Sequence, residues 1–156
     1  MRAFDYIELR IPAKPQYVSV MRLTISGLAT RVGFSYDQIE DMKIAVSEAI
    51  TNVVQHAYND GEDGDIVIGS ALYSDKIEVM ISDCGNSFNF EVVRANIGPY
   101  HENDNVERLR EGGLGLFLME TLMDEVRFNN DGGVTVFMTK YVNREQVGED
   151  VESVST

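Results

Sequence analysis

A two-layer α+β sandwich, with helices laid on one face of a mostly antiparallel mixed sheet, is the architecture this sequence predicts. Three observations carry it. Apolar residues recur at spacings of three and four over residues 15–32, 39–58 and 114–123, the period of amphipathic helices. Strand-like runs at 4–11, 66–73, 76–83, 126–129 and 134–141 include two pairs joined by short turn-forming sequences. Three helices so placed cannot all be crossovers between parallel strands, so hairpins build most of the sheet.

Taken in order, residues 4–11 set Ile7, Leu9 and Ile11 on one face and Glu8 and Arg10 on the other, until Pro12 ends the strand. Over 15–32 the apolar positions are Val18, Met21, Ile25 and Leu28; Pro15 suits a first helical turn and Gly33 a C-terminal cap. The helix at 39–58 is the element around which the rest is arranged. Ile39, Met42, Val46, Ala49, Val53 and Ala57 form its apolar stripe, Ser35 with Gln38 reads as a capping box, and Asn59-Asp60-Gly61 is turn chemistry at its end. At about 100° per residue, Asp41, Glu48, Asn52 and Gln55 share one narrow arc, roughly opposite that stripe. After a polar turn at 61–65, runs 66–73 and 76–83 meet at Ser74-Asp75 as a hairpin. Residues 86–113 have little apolar periodicity, and so long a connection in a compact domain reads as a functional lid. The helix at 114–123 is entered from Gly112, Gly113 and Gly115, and Asn130-Asp131-Gly132-Gly133 marks the last hairpin. Residues 1–142 thus read as one domain, and 143–156 as a polar, frayed tail.

The chain has 156 residues, 44% of them hydrophobic, which suits a single packed core and leaves no room for a second domain. Its net charge of −13 argues against binding a nucleic-acid backbone and for solubility or a basic protein partner. The N-terminal sequence has no apolar run of signal-peptide length, and no segment approaches the ~20 apolar residues that span a bilayer. A cytoplasmic protein without membrane attachment is expected. Its one cysteine, Cys84, excludes an internal disulfide and a cysteine-based metal site, and reads as a buried small residue.

Three stretches carry chemistry. Glu48 and Asn52 lie one helical turn apart, where a carboxylate can accept a proton and an amide oxygen can hold a hard cation. Asp83-Cys84-Gly85 ends a strand; a carboxylate there can accept a hydrogen bond from an exocyclic amine, while a glycine lets a flat ring approach the backbone. Residues 111–116, Glu-Gly-Gly-Leu-Gly-Leu, enter a helix and expose backbone N–H groups where the helix dipole favours an anion. That run is not a P-loop, because no Gly-Lys-Ser/Thr follows, nor a dinucleotide fingerprint, because no strand precedes it. A hinge role for its glycines is the structural alternative.

In this order the three stretches resemble the N, G1 and G2 boxes of the Bergerat-fold ATPases, the superfamily of gyrase, heat-shock chaperone and histidine-kinase ATP domains. Within it the chain resembles the anti-sigma factors that are serine-protein kinases, the anti-sigma-B branch in particular. The likeness is carried by DYIELRIPAKPQYVSVMRLTISGLATR, IEDMKIAVSEAITNVVQHAY, DCGNSF, IGPY, REGGLGLFLMETLMDEV and GVTVFMTKY, nearly the whole chain to Tyr141. It implies a homodimeric, ATP- and Mg²⁺-dependent kinase that sequesters a sigma factor and phosphorylates a serine on an anti-anti-sigma antagonist. By position, Glu48 would be the general base, Asn52 the Mg²⁺ ligand, Asp83 the acceptor for the adenine amino group, with Gly85 beside the ring and Thr135 behind it. Gly113 and Gly115 would offer N–H groups to the phosphates, ADP binding in the same place as ATP. Arg22, on the first helix, would contact the sigma factor. Sporulation anti-sigma factors carry an arginine just before the glycine pair; here that residue is Glu111, and the γ-phosphate cation is left unassigned between Arg108 and Arg110.

His56 reads as structural, since the other histidine, His101, lies in the lid and no ligand cluster surrounds either. A detached histidine-kinase ATP domain would need a phosphoacceptor histidine on a helix pair before Phe4, and a chaperone-like ATPase a further transducer domain. The non-enzymatic alternative is a sigma-binding module that nucleotide merely stabilises; it would have no use for a base at position 48.

Overall fold

The structure, a computed structural model, describes residues 2–57, 64–83, 113–129 and 135–143. The predicted lid (apart from Gly113), Gly85, Cys84, His101, Arg108, Arg110, Glu111, both glycine-rich turns and the tail beyond Asn143 lie outside these residues. Five strands, β1 (Asp5–Pro12), β2 (Asp65–Leu72), β3 (Lys76–Ser82), β4 (Glu125–Asn129) and β5 (Thr135–Tyr141), form one sheet in the order β1-β2-β3-β5-β4. Every neighbouring pair is antiparallel, with Asp5 opposite Leu72, Val67 opposite Ser82, and Ser82 opposite Thr135. The helices α1 (Val18–Val32), α2 (Tyr36–Ala57) and α3 (Gly113–Leu122) pack beside one another, with α2 touching both others.

Local chemistry sets the α1–α2 corner. The chain enters α1 through a 3₁₀ turn, Pro15–Tyr17, so the first helix begins a few residues later than its apolar spacing suggests. Gly33 closes α1 at φ 105°, a left-handed conformation that a Cβ disfavours. Its N–H donates to the Thr30 carbonyl at 3.2 Å, and the Phe34 N–H donates to Ala29 at 3.1 Å, the bond pattern of a Schellman cap. One residue on, the Gln38 N–H donates to Ser35 Oγ and the Ser35 N–H donates to Gln38 Oε1, both at 3.3 Å. This is the reciprocal capping box, and it starts α2 at Tyr36. Gln38 also donates through Nε2 to the Tyr141 carbonyl at 3.1 Å, tying the start of α2 to the end of β5.

Met42, Val46, Ala49 and Val53 of α2 are fully buried, as their spacing predicts. Ala45 and Ile50 are buried as well, because α2 is flanked on both sides rather than laid singly on the sheet. From the sheet, Ile66, Ile68, Leu72, Ile77, Val79, Ile81, Val136 and Met138 complete this core, alternating along each strand. The other face of the sheet holds a smaller cluster of Ala71, Tyr73, Met80 and Phe137. Beside it Glu78 is only 2% exposed, its carboxylate held by Lys76 Nζ at 2.9 Å and by the Tyr73 hydroxyl at 3.2 Å. The Lys76 ammonium also lies 4.7 Å from the Tyr73 ring centroid, so the buried charge is answered on two sides. At the outer strand the Tyr6 ring lies over Gly69, whose missing Cβ makes the room, and its hydroxyl donates to Glu8 at 3.0 Å. Burial, followed by the Glu8 carboxylate, pushes the Tyr6 phenol above its ordinary range. Among the described residues no helix is long and apolar enough to cross a membrane.

The capping box gives a direct test. Ser35→Ala removes the acceptor for the Gln38 N–H and should lower stability by about 0.5–2 kcal/mol in urea unfolding, with the m-value unchanged. A loss well below that range would mean that packing alone starts α2.

Candidate functional site

The site begins on the polar edge of α2. Glu48 and Asn52 are both half-buried, Asp41 likewise, and Gln55 is exposed. Because Ala45 and Ile50 widen the buried face, this edge borders the core instead of lying opposite it. What covers it is the start of α3. A Cβ placed on Gly115 would stand 3.0 Å from Glu48 Oε2, so the glycine-entered helix comes directly against the carboxylate. Gly113 opens α3 and Gly115 is in its first turn. Backbone N–H groups of a first turn have no partner within the helix, which suits such donors to an anion. Leu116 and Met119, beside Gly115 and one turn on from it, are buried in the core and fix the position of α3.

Asp83 follows β3 directly and is half-buried. Across the sheet Thr135, nearly buried, donates through Oγ1 to Ser82 Oγ at 3.3 Å. Thr135 is thus held beside Ser82, one residue from Asp83. No local pattern singles out Ser82; the signal for it is the Ser82–Thr135 register, which needs the strand order β3-β5 and cannot be read from alternation. Arg22 stands apart on the exposed side of α1. Around it Leu23 is 77% exposed and Val20 40%, and α1 carries no acidic residue although the whole chain is strongly acidic.

Chemically, a half-buried carboxylate, an amide one turn on and the N–H groups of a helix's first turn can hold a phosphate chain and take a proton from a nucleophile beside it. Among the described residues no group of three His, Cys, Asp or Glu is placed to cage a metal. A cation between Asn52 and phosphates would therefore complete its shell with phosphate oxygens and water, as Mg²⁺ does.

The model of the histidine kinase-like ATPase domain matches residues 11–140, which span every element from the end of β1 into β5. Over its full length the chain is 57% identical to the serine-protein kinase RsbW of Oceanobacillus iheyensis, covering 99% of that protein. It is 55% identical to RsbW of Bacillus subtilis over 94% of this chain and 91% of that one, and 56% identical to RsbW of Listeria monocytogenes over 97% of each. The chain belongs to the RsbW serine-protein kinases. Its fold also matches a crystal structure of RsbU and RsbW domains of a Mycobacterium tuberculosis protein, with a TM-score of 0.60 at 21% identity, over 87% of this chain and 32% of that one. As an RsbW kinase built on an ATPase domain, it binds ATP and transfers phosphate to protein serine. The Bergerat-fold resemblance and the α+β sandwich read from the sequence are both borne out.

Proposed function

We propose that this RsbW kinase is an anti-sigma factor that holds a sigma-B-type factor away from RNA polymerase and releases it by partner switching, phosphorylating a serine on the anti-anti-sigma antagonist. The observation that carries the catalytic half is the seating of Glu48 against the first turn of α3. Phosphoryl transfer asks mainly for positioning and charge neutralisation. In this reading Glu48 takes the proton of the antagonist's serine hydroxyl while that oxygen forms its bond to the γ-phosphorus. The bond from the γ-phosphorus to the bridging oxygen breaks, and ADP leaves with the electron pair. Asn52 would hold Mg²⁺, which neutralises phosphate charge when bound. Gly113 and Gly115 offer N–H groups to the phosphates, Asp83 accepts from the adenine amino group with Gly85 beside the ring, and Thr135 braces that end of β3 through Ser82.

The binding half rests on α1. A helix with two arginines, no acidic residue and exposed Val20 and Leu23 suits an acidic, partly apolar partner surface. Arg22 is the contact we assign to the sigma factor. A homodimer is part of the same reading: β1 is an edge strand, and Phe4, Tyr6 and Tyr17 near it are exposed. Both partners and the kinase would meet in the cytoplasm.

Three outcomes are expected. Asp83→Asn should weaken ADP binding by about 1–3 kcal/mol in calorimetry, since an amide can present a donor where the adenine amine needs an acceptor. Equal affinity would take Asp83 out of the site. Glu48→Gln should slow phosphate transfer to the antagonist by about 10²–10⁴ while ATP still binds. Arg22→Glu should abolish or strongly weaken capture of the sigma factor in a pull-down with nucleotide present, with ATP affinity unchanged; undiminished capture would move the interface elsewhere.

A further inference from the structure

Apart from Gly113, which opens α3, two described glycines stand in helices, where glycine is a poor former, and their surroundings differ. At Gly27 of α1 an added Cβ would meet no described residue within 4 Å outside its own helix backbone and chain neighbours. At Gly115, among the described residues and apart from its chain neighbours and α3's own backbone, the three nearest heavy atoms all belong to one side chain: Glu48 Oε2 at 3.0 Å, Cδ at 3.9 Å and Cβ at 4.0 Å. We infer that Gly115 is a positioning residue for Glu48, its missing side chain being what lets the carboxylate stand where it does. The inference rests on the reading of Glu48 as general base and adds a role separate from any contact of the Gly115 N–H with phosphate.

The two roles separate because alanine keeps the N–H. A methyl group at 115 suits a helix better than glycine does, so α3 forms at least as readily. Glu48 meets that methyl with the far end of a flexible side chain, and the carboxylate moves by a few tenths of an ångström instead of the backbone. The fold therefore survives and the base is displaced. A base must lie within hydrogen-bond reach of the proton it removes, and misplacement by about 1 Å can cost 10²-fold in rate. Nucleotide affinity, which depends on N–H groups, the cation and the adenine contacts, has no reason to follow.

The experiment compares the full-length parent with Gly115→Ala, Glu48→Asp, the double variant and Glu48→Gln. It measures ADP affinity by calorimetry and steady-state transfer of γ-phosphate from ATP to the antagonist serine. Gly115→Ala should lower kcat roughly ten-fold, with the KM for ATP and the ADP affinity within about two-fold of the parent. Aspartate draws the carboxylate back by one methylene and leaves room for the methyl. The double variant should therefore be at least as fast as Glu48→Asp alone. A parental kcat for Gly115→Ala, a loss of ADP affinity that matches the loss of rate, or multiplied losses in the double variant would each overturn the inference. Glu48→Gln separates the two levels. If it transfers phosphate at the parental rate, Glu48 is not the base and the positioning role falls with it; if it is inactive, a failed Gly115 result overturns the positioning role alone.

Discussion

The fully buried stripe of Met42, Val46, Ala49 and Val53 is the constraint on which the rest of this structure depends. A helix so docked cannot rotate, because turning by one residue, about 100°, would carry a buried face into solvent. The orientation of Glu48 and Asn52 is therefore fixed by side chains that never meet a substrate. Packing on both flanks strengthens this: α1 and α3 bury Ala45 and Ile50 and leave α2 only a narrow exposed ridge. For the general base proposed at Glu48, support by the core instead of by a loop suits phosphoryl transfer, where little else than positioning is asked of the protein.

Much of this was legible in the sequence where a local rule decides the outcome. Gly33 closes α1, Ser35 and Gln38 open α2, and Ser74-Asp75 turns the β2–β3 hairpin, because each depends on residues within five positions of one another. The width of the buried face of α2 was not legible, since the period of one helix does not tell how many neighbours flank it. For the same reason the polar arc was placed opposite the core and proved to border it.

The candidate site is legible residue by residue but not as an arrangement. Glu48, Asn52, Asp83 and the glycines are visible as a motif, yet the contact between positions 48 and 115 joins two helices with β2 and β3 between them in sequence. The pairing of Ser82 with Thr135 likewise requires knowing that β5 inserts between β3 and β4. Glu78 shows the converse: a charged residue at an outward strand position reads as solvated, and its burial makes sense only with Lys76 and the Tyr73 hydroxyl beside it.

The register of β1 has a consequence for how the chain is made. β1 is translated well before its partner β2, with Asp5 facing Leu72 and both α1 and α2 between them in sequence. At 5–20 residues per second, the ribosome needs roughly 3–13 s to deliver the far end of that ladder. Over that interval a strand with Ile7, Leu9 and Ile11 on one face has no sheet to join. Pro12 at its end and the charged Glu8 and Arg10 on its other face are the residue types that disfavour edge-to-edge pairing while it waits.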